Sequence, residues 1–322
     1  MTTKCQVNLD TYRKQPRRLS NEMLKALGSG GSLHPLLDAV RHDNRLRLEI
    51  RDGRFNIYYG GGSLLLVDGR VKPWTPKFDK KYFSKGKLVP PSLPPDCVSL
   101  DAARKCVAVF PQLMAGMDHW WGECPKGERA HCQALAATSA DDGSDLGDYV
   151  VLDLEYQWAQ RRLDLVAAKR NQTQDDTTGW RTPHFVFVEV KCECNACYGS
   201  SGLCAHALDY KDIIEARHGH SAEDIKREFE GVIGQKRKLG LVDERFAFER
   251  FSEATPELLF VLIDLEPSPL KNALVEVKSI SDEIGEAGCI RFLCVDSTNY
   301  KMLARETIPM DRLIGLRAYG VV

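Results

Sequence analysis

The sequence predicts an α/β fold, a sheet layered against flanking helices, with a β-rich region at its N-terminal end. Three observations predict it. Residues 45 to 67 read as short alternating strands punctuated by glycine turns. From residue 126 onward a helix, three strands, further helices and a strand follow one another. Two of the later strands, 185–191 and 258–264, are apolar nearly throughout, as strands buried inside a protein are.

Ser20 is a natural N-cap for a helix from Asn21 to Leu27, and 28–32 is a Gly/Ser loop before a helix resumes over 33–41. Arg45-Leu46-Arg47-Leu48-Glu49-Ile50 alternates charged and apolar residues, the pattern of a half-buried strand. Asp52-Gly53 predicts a hairpin turn into 55–59, and Gly60-Gly61-Gly62 a second turn into 63–67. Residues 72 to 96 are rich in Pro and Lys and read as a long connection without regular structure, anchored by Tyr82-Phe83. A soft boundary falls here, giving an N-terminal helix and β-meander region, 1–96, suited to substrate or partner binding, and a second domain, 97–322. Ala103, Cys106, Val107, Phe110 and Met114 form the apolar stripe of one helix over 100–120. The later elements are a helix over 128–137, strands over 149–156, 162–168 and 185–191, helices over 205–216 and 222–239, and strands over 258–264 and 290–295.

Composition is ordinary for a globular chain of 322 residues: 43% hydrophobic and 28% charged, with a formal net charge of −1. No global positive field draws this chain to nucleic acid, so such binding would need local basic patches or metal ions. No stretch has the apolar length to span a membrane, and Met1–Asn8 lacks the apolar run of a secretory signal. A cytoplasmic protein without a membrane partner is expected. Eleven cysteines scattered along the chain then read mostly as free thiols.

The chemistry concentrates at two strands. Phe185-Val186-Phe187-Val188-Glu189-Val190-Lys191 ends an apolar run with Glu189 and Lys191 on the same face. Charges at the end of a buried strand need partners. Leu163-Asp164-Leu165-Val166 sets a single acid in another apolar run, and pairing the two strands would bring Asp164 to Glu189. Two carboxylates make a hard-oxygen site for Mg²⁺ or Mn²⁺. Such an ion activates water and clamps a phosphate oxygen, while Lys191 stabilises the charge that develops in phosphodiester cleavage. A plain salt bridge at a sheet end is the competing explanation.

The order of helix with Glu, strand, strand with Asp, strand with Glu-x-Lys, and helix resembles the PD-(D/E)xK nuclease core. The motif stands here as Arg162-Leu163-Asp164 and Glu189-Val190-Lys191, without the Pro that names the superfamily. The resemblance implies a restriction-endonuclease-like mixed central sheet flanked by helices, and a metal-dependent endonuclease acting on DNA ahead of RNA. It maps the family's helix-borne acid onto Glu128, as a metal ligand or orienting group beside Asp164 and Glu189. A narrower bacterial group with this core shows features similar to Ile57–Gly62, Leu154-Glu155-Tyr156-Gln157 and Gly199–His206 followed by Asp209-Tyr210, spanning most of residues 45 to 215. That likeness adds to the fold expectation and not to function. The rival function is a binding module, for nucleic acid or protein, that keeps the nuclease fold without catalysis. A homodimer or a protein partner is compatible with both.

Cys194-Asn195-Ala196-Cys197 has the spacing of a zinc knuckle, and Cys204-Ala205-His206 could close a tetrahedral structural Zn²⁺ site. Free thiols in a core are the alternative. Gln235-Lys236-Arg237-Lys238, with Lys226 and Arg227, suggests a basic helix face along a phosphate backbone, as do Arg161 and Arg162 beside the acid strand; a solvated face is the alternative. Glu155 and Gln157 lie on the strand before the acid strand and read as the polar face of an edge strand, with reach to the site as the alternative. His218-Gly219-His220 reads as an exposed loop, and Trp120-Trp121 as core packing, with stacking on bases the alternative.

Overall fold

A computed structural model describes residues 17–70, 72–85, 88–125, 127–140, 148–158, 161–171, 180–217, 221–246, 248–265, 270–285 and 288–310. The expected α/β class is observed, with two sheets. Helices α1 (Asn21–Leu27) and α2 (His34–His42) precede a four-stranded antiparallel sheet in the order β1 (Leu46–Arg51), β2 (Arg54–Tyr59), β3 (Gly62–Asp68) and β4 (Thr75–Lys77). Three helices follow: α3 (Leu100–Ala108), α4 (Phe110–Glu123) and α5 (Gly127–Ala140).

The second sheet is six-stranded. It contains β5 (Tyr149–Trp158), β6 (Arg161–Lys169), β7 (His184–Lys191), β8 (Glu257–Ile263), β9 (Cys289–Val295) and β10 (Ile308–Pro309), in the order β10-β9-β8-β7-β6-β5. Its strands are antiparallel from β5 to β7 and again at β9–β10, and parallel across β7, β8 and β9. Parallel neighbours need long crossovers. Helices α6 (Leu203–Ile214) and α7 (Ala222–Lys238) lie between β7 and β8, and α8 (Lys271–Ile284) between β8 and β9. The apolar side chains of β7 divide between two cores. Phe185 and Phe187 join the core of α6, α7 and α8, whereas Val186, Val188 and Val190 join Leu135 and Ala136 of α5. Among the described residues, no helix is long and apolar enough to cross a membrane.

The helix expected over 100–120 is two helices, α3 and α4, meeting at Val109. Pro111 is the reason: it has no N–H to give, and its ring would strike the carbonyl of Val107 one turn back. The connection 72–96 carries strand β4 and a 3₁₀ turn at Lys80–Phe83, which buries Tyr82. Helix α8 was not anticipated, although Leu274, Val277, Ile280 and Ile284 bury one face of it.

The largest departure is β1. Glu49, on the charged face of a strand expected to be half-buried, is buried, and so is Arg51 after it. Glu49 pairs with Lys236 of α7 and with Arg47. Arg51 donates to Asp153 of β5 at 2.5 Å, to the Leu154 carbonyl at 2.5 Å and to the Tyr58 hydroxyl at 3.0 Å, and Arg17 also pairs with Asp153. Gln235 of α7 holds the backbone of Leu19 through both its N–H and its carbonyl. The second face of β1 is therefore wet by charge rather than by water: it closes against β5 and α7 with each ion partnered. One hydrophobic core runs from Leu19 to Met310 through both sheets, so the expected boundary at 96/97 separates no cores.

The same pairing corrects the expected basic face of α7. Lys236 also donates to the Leu152 carbonyl, and Lys226 donates to Glu223 and to the carbonyls of Ser252 and Ala254. Both ammonium groups are consumed inside the fold, while Arg227, Arg237 and Lys238 are exposed.

Burial works to raise the Glu49 carboxyl, but Lys236, Arg47 and Arg51 outweigh it and hold it below the usual carboxylate value. An acid held low contributes stability above its unfolded value near 4.5, and that contribution is lost as pH falls through the folded value. Glu49→Gln should therefore cost about 3–5 kcal/mol in urea melts at pH 7, because it leaves Lys236 buried without its partner. The gap between variant and wild type should narrow below pH 4.5 as the wild-type carboxyl takes up its proton.

Candidate active site

The register of β6 against β7 runs from Lys169↔His184 to Leu165↔Val188 and then stops. The next pair would be Asp164 and Glu189. There the strands part, and side chains replace the backbone ladder. The Val190 N–H donates to Asp164 Oδ2 at 3.0 Å, and the Asp164 N–H donates to Glu189 Oε1 at 3.3 Å. The expected meeting of the two acids is observed, with a reciprocal geometry that satisfies both freed donors.

Lys191, only 3% exposed, sets its ammonium 3.1 Å from Glu128 Oε1 and 3.7 Å from Glu189 Oε2. Glu128 stands in the first turn of α5, where the helix dipole also favours an anion. Asp164, Glu189, Lys191 and Glu128 are thus gathered at one place. Among the described residues, no three His, Cys, Asp or Glu side chains are already drawn around a single point, and Lys191 stands between Glu128 and Glu189.

Electrostatics follow from burial. Glu189 is 1% exposed, and burial followed by the Asp164 carboxylate push its pKa well above the ordinary value. Burial and Asp164 likewise raise Glu128. Burial works against the Lys191 ammonium, but Glu189, Asp164 and Glu128 outweigh it and keep it charged above its usual range. Two acids that repel one another in a dry place fit a divalent cation, which would relieve that repulsion through hard oxygen donors.

His206 of α6 lies 3.3 Å from Glu189 Oε2, and burial followed by Lys191 lowers its pKa to about 4. That placement bears on the expected zinc set. Residues two apart on a helix project about 200° apart. Cys204 accordingly points to α8, where its thiol donates to Glu276 at 3.1 Å and to the Ala273 carbonyl, while His206 points to the acids. Cys194 and Cys197 bound a 3₁₀ turn, with the Cys197 thiol directed at the Glu193 carbonyl. The structure does not bring Cys194, Cys197, Cys204 and His206 together.

A cleft of about 290 Å³ opens beside the acids, lined by Asp164, Glu128, Arg129, Glu155, Arg162 and Gly61 among others. Glu155 is 3.0 Å from Arg129 and 3.7 Å from Arg162. Arg161, a candidate phosphate contact, is instead held by Asp209 and Asp212 of α6 at 3.0 and 2.6 Å. Gln157 pairs in register with Arg162 and is exposed, and His218 and His220 lie outside the described residues. Sequence reasoning missed Arg129 and the part Gly61 plays in the wall. Gly61 has φ +76°, its N–H reaches Gln133 of α5, and a Cβ there would sit 2.1 Å from the Arg129 carbonyl. No local signal in the sequence joins that turn to α5.

No protein-family model, no curated protein and no solved structure matches this chain.

An acid whose folded pKa is raised costs stability above its unfolded value. Glu189→Gln, in chelator, should therefore raise stability by about 1–2 kcal/mol in urea melts at pH 8. That gain should fade as pH falls toward 4.5 and be gone below it, where the wild-type carboxyl is protonated in both states.

Proposed function

We propose that the chain is a divalent-metal-dependent nuclease with a restriction-endonuclease-like core, hydrolysing phosphodiester bonds in DNA ahead of RNA. The observation that carries the reading is the pairing of Asp164 and Glu189 where β6 and β7 part, with buried Lys191 beside them and an open cleft in front. Asp164 and Glu189 would hold Mg²⁺ or Mn²⁺, with Glu128 as a third carboxylate. Such an ion, when bound, supplies an activated water and a clamp on a phosphate oxygen.

The chain's own groups supply the rest. Asp164 is fixed by the Val190 N–H, so its carboxylate faces the cleft in one orientation. Lys191 stays protonated because three acids surround it, and its ammonium offers charge to a phosphate oxygen that gains negative charge in the transition state. Glu128 holds that ammonium from the helix side. Arg129 and Arg162 line the same cleft and offer planar donors suited to phosphate. The order of elements supports the fold assignment: a helix bearing Glu128, an antiparallel trio ending in the Glu-x-Lys strand, then a helix.

The test incubates the protein with plasmid, linear duplex, single-stranded DNA and RNA, in Mg²⁺ or Mn²⁺. Cleavage is expected in metal and not in chelator, falling at least 100-fold in Asp164→Ala and in Lys191→Ala. Either cation at 100-fold over its Kd should also stabilise the wild type by about 2.7 kcal/mol, and Asp164→Ala much less. Cleavage that survives both substitutions would sink the site assignment. Failure to cleave any substrate would favour a binding module.

A further inference from the structure

The acid cleft does not end at Gly61. It adjoins a larger groove of about 650 Å³ that shares Pro125 and Gly127 with it and is lined by Tyr59, Gly60, Trp121 and Arg45. Tyr59 and Trp121 stand with ring centroids 5.9 Å apart, tilted by 33°, and both are half-buried. The groove continues past Arg45 and Tyr59 toward α3 and α4. The turn of the first sheet thus forms a bridge from the candidate active site to a pair of aromatic rings.

We infer that this groove is the track of a single nucleic-acid strand, with Arg129 and Arg162 taking its phosphates and Tyr59 and Trp121 taking its bases. The inference rests on the nuclease reading of the acid site and names its substrate class.

Three features favour one strand over a duplex. First, a duplex is held mainly through phosphates on both strands, which calls for cations spread along a broad rim. Of the cations on α7, Lys226 and Lys236 are spent inside the fold, leaving Arg227, Arg237 and Lys238 exposed on that helix, and Arg161 on the acid strand is held by Asp209 and Asp212. Second, stacking rings beside a few cations are how a protein holds unpaired bases, because every base offers a π-face only when it leaves the helix. Third, the two cleft arginines are held ready. Glu155 has φ +53° in the middle of β5, a conformation that L-residues rarely adopt. Its carboxylate lies between Arg129 and Arg162 at the cleft wall. A phosphate entering there would take over the place Glu155 holds, with donors already converged.

The test measures binding of fluorescein-labelled dT15, rU15 and a duplex hairpin of matched length by anisotropy, with Ca²⁺ in place of Mg²⁺. One of the two single strands is expected to bind at least tenfold tighter than the hairpin, and the comparison of dT15 with rU15 reads the sugar preference. Trp121→Ala should weaken single-strand binding about 5- to 100-fold, and Trp121→Phe much less. Arg129→Gln, at a partly exposed site, should weaken it about 5-fold or more and leave the melting temperature within a degree or two. A hairpin bound as tightly as either strand overturns the inference. So does wild-type strand binding by a folded Trp121→Ala or by Arg129→Gln. Strand binding without cleavage in Mg²⁺ or Mn²⁺ keeps this inference and removes the nuclease reading. Cleavage confined to duplex, and indifferent to both variants, does the reverse.

Discussion

The separation of β6 from β7 is the constraint on which the rest of the site depends. A ladder that stops inside a sheet frees two backbone N–H groups, and an unpaired buried donor is expensive. Asp164 and Glu189 meet that need with their own side chains, each taking the N–H from the other strand. The arrangement holds Asp164, in the wall of the cleft, beside Glu189, which is buried behind it, and no stability argument alone would select that. The raised pKa of Glu189 records the cost, and Lys191 offsets part of it. A divalent cation at the edge of the cleft that Asp164 lines would relieve that repulsion.

The wall of that cleft belongs to a sheet that is remote in sequence, and buried charge holds it there. Asp153 lies on β5, two residues before Glu155, and accepts from Arg51 of β1 and Arg17. Glu49 of β1 engages Lys236 of α7. Buried pairs are weak contributors to net stability but strong specifiers, since any other docking of the two sheets would strand an ion. With β1 docked on β5, the β2–β3 turn reaches α5, and Gly61 fits against the Arg129 carbonyl where a side chain could not. Position in this fold is thus set by ions, and shape by the absence of a Cβ.

What the sequence disclosed divides along one physical line. Period and composition are local, so the strands at 185–191 and 258–264, the hairpin at Asp52-Gly53 and the glycine turn at 60–62 were all legible. The pairing of Asp164 with Glu189 was legible too, because two lone acids in apolar strands imply each other. Partners chosen across the fold were not. Lys226 and Lys236 look like a solvated face until the carbonyls of Ser252, Ala254 and Leu152 are placed. Glu49 looks wet until α7 covers it. Cys204 and His206 share a motif by spacing, yet helix geometry sends one to α8 and the other to Glu189. Helix α8 had a readable apolar period, and the β-branched Val275 and Val277 within it mask that period with a strand-like run.

Charge accounting links these threads. A chain with net charge −1 presents no overall positive field to nucleic acid. Six of its cations are spent on structure: Arg17, Arg47, Arg51, Arg161, Lys226 and Lys236 all bind acids or carbonyls of their own fold. The cleft retains Arg129 and Arg162, held by one carboxylate on a backbone residue in an uncommon conformation. A ligand for such a site must bring few phosphates close together and find the rest of its affinity elsewhere. The half-buried rings of Tyr59 and Trp121, a short way along the same groove, offer that affinity through stacking. Distribution of charge inside the protein therefore argues for a strand threaded past the acids, rather than a duplex laid across them.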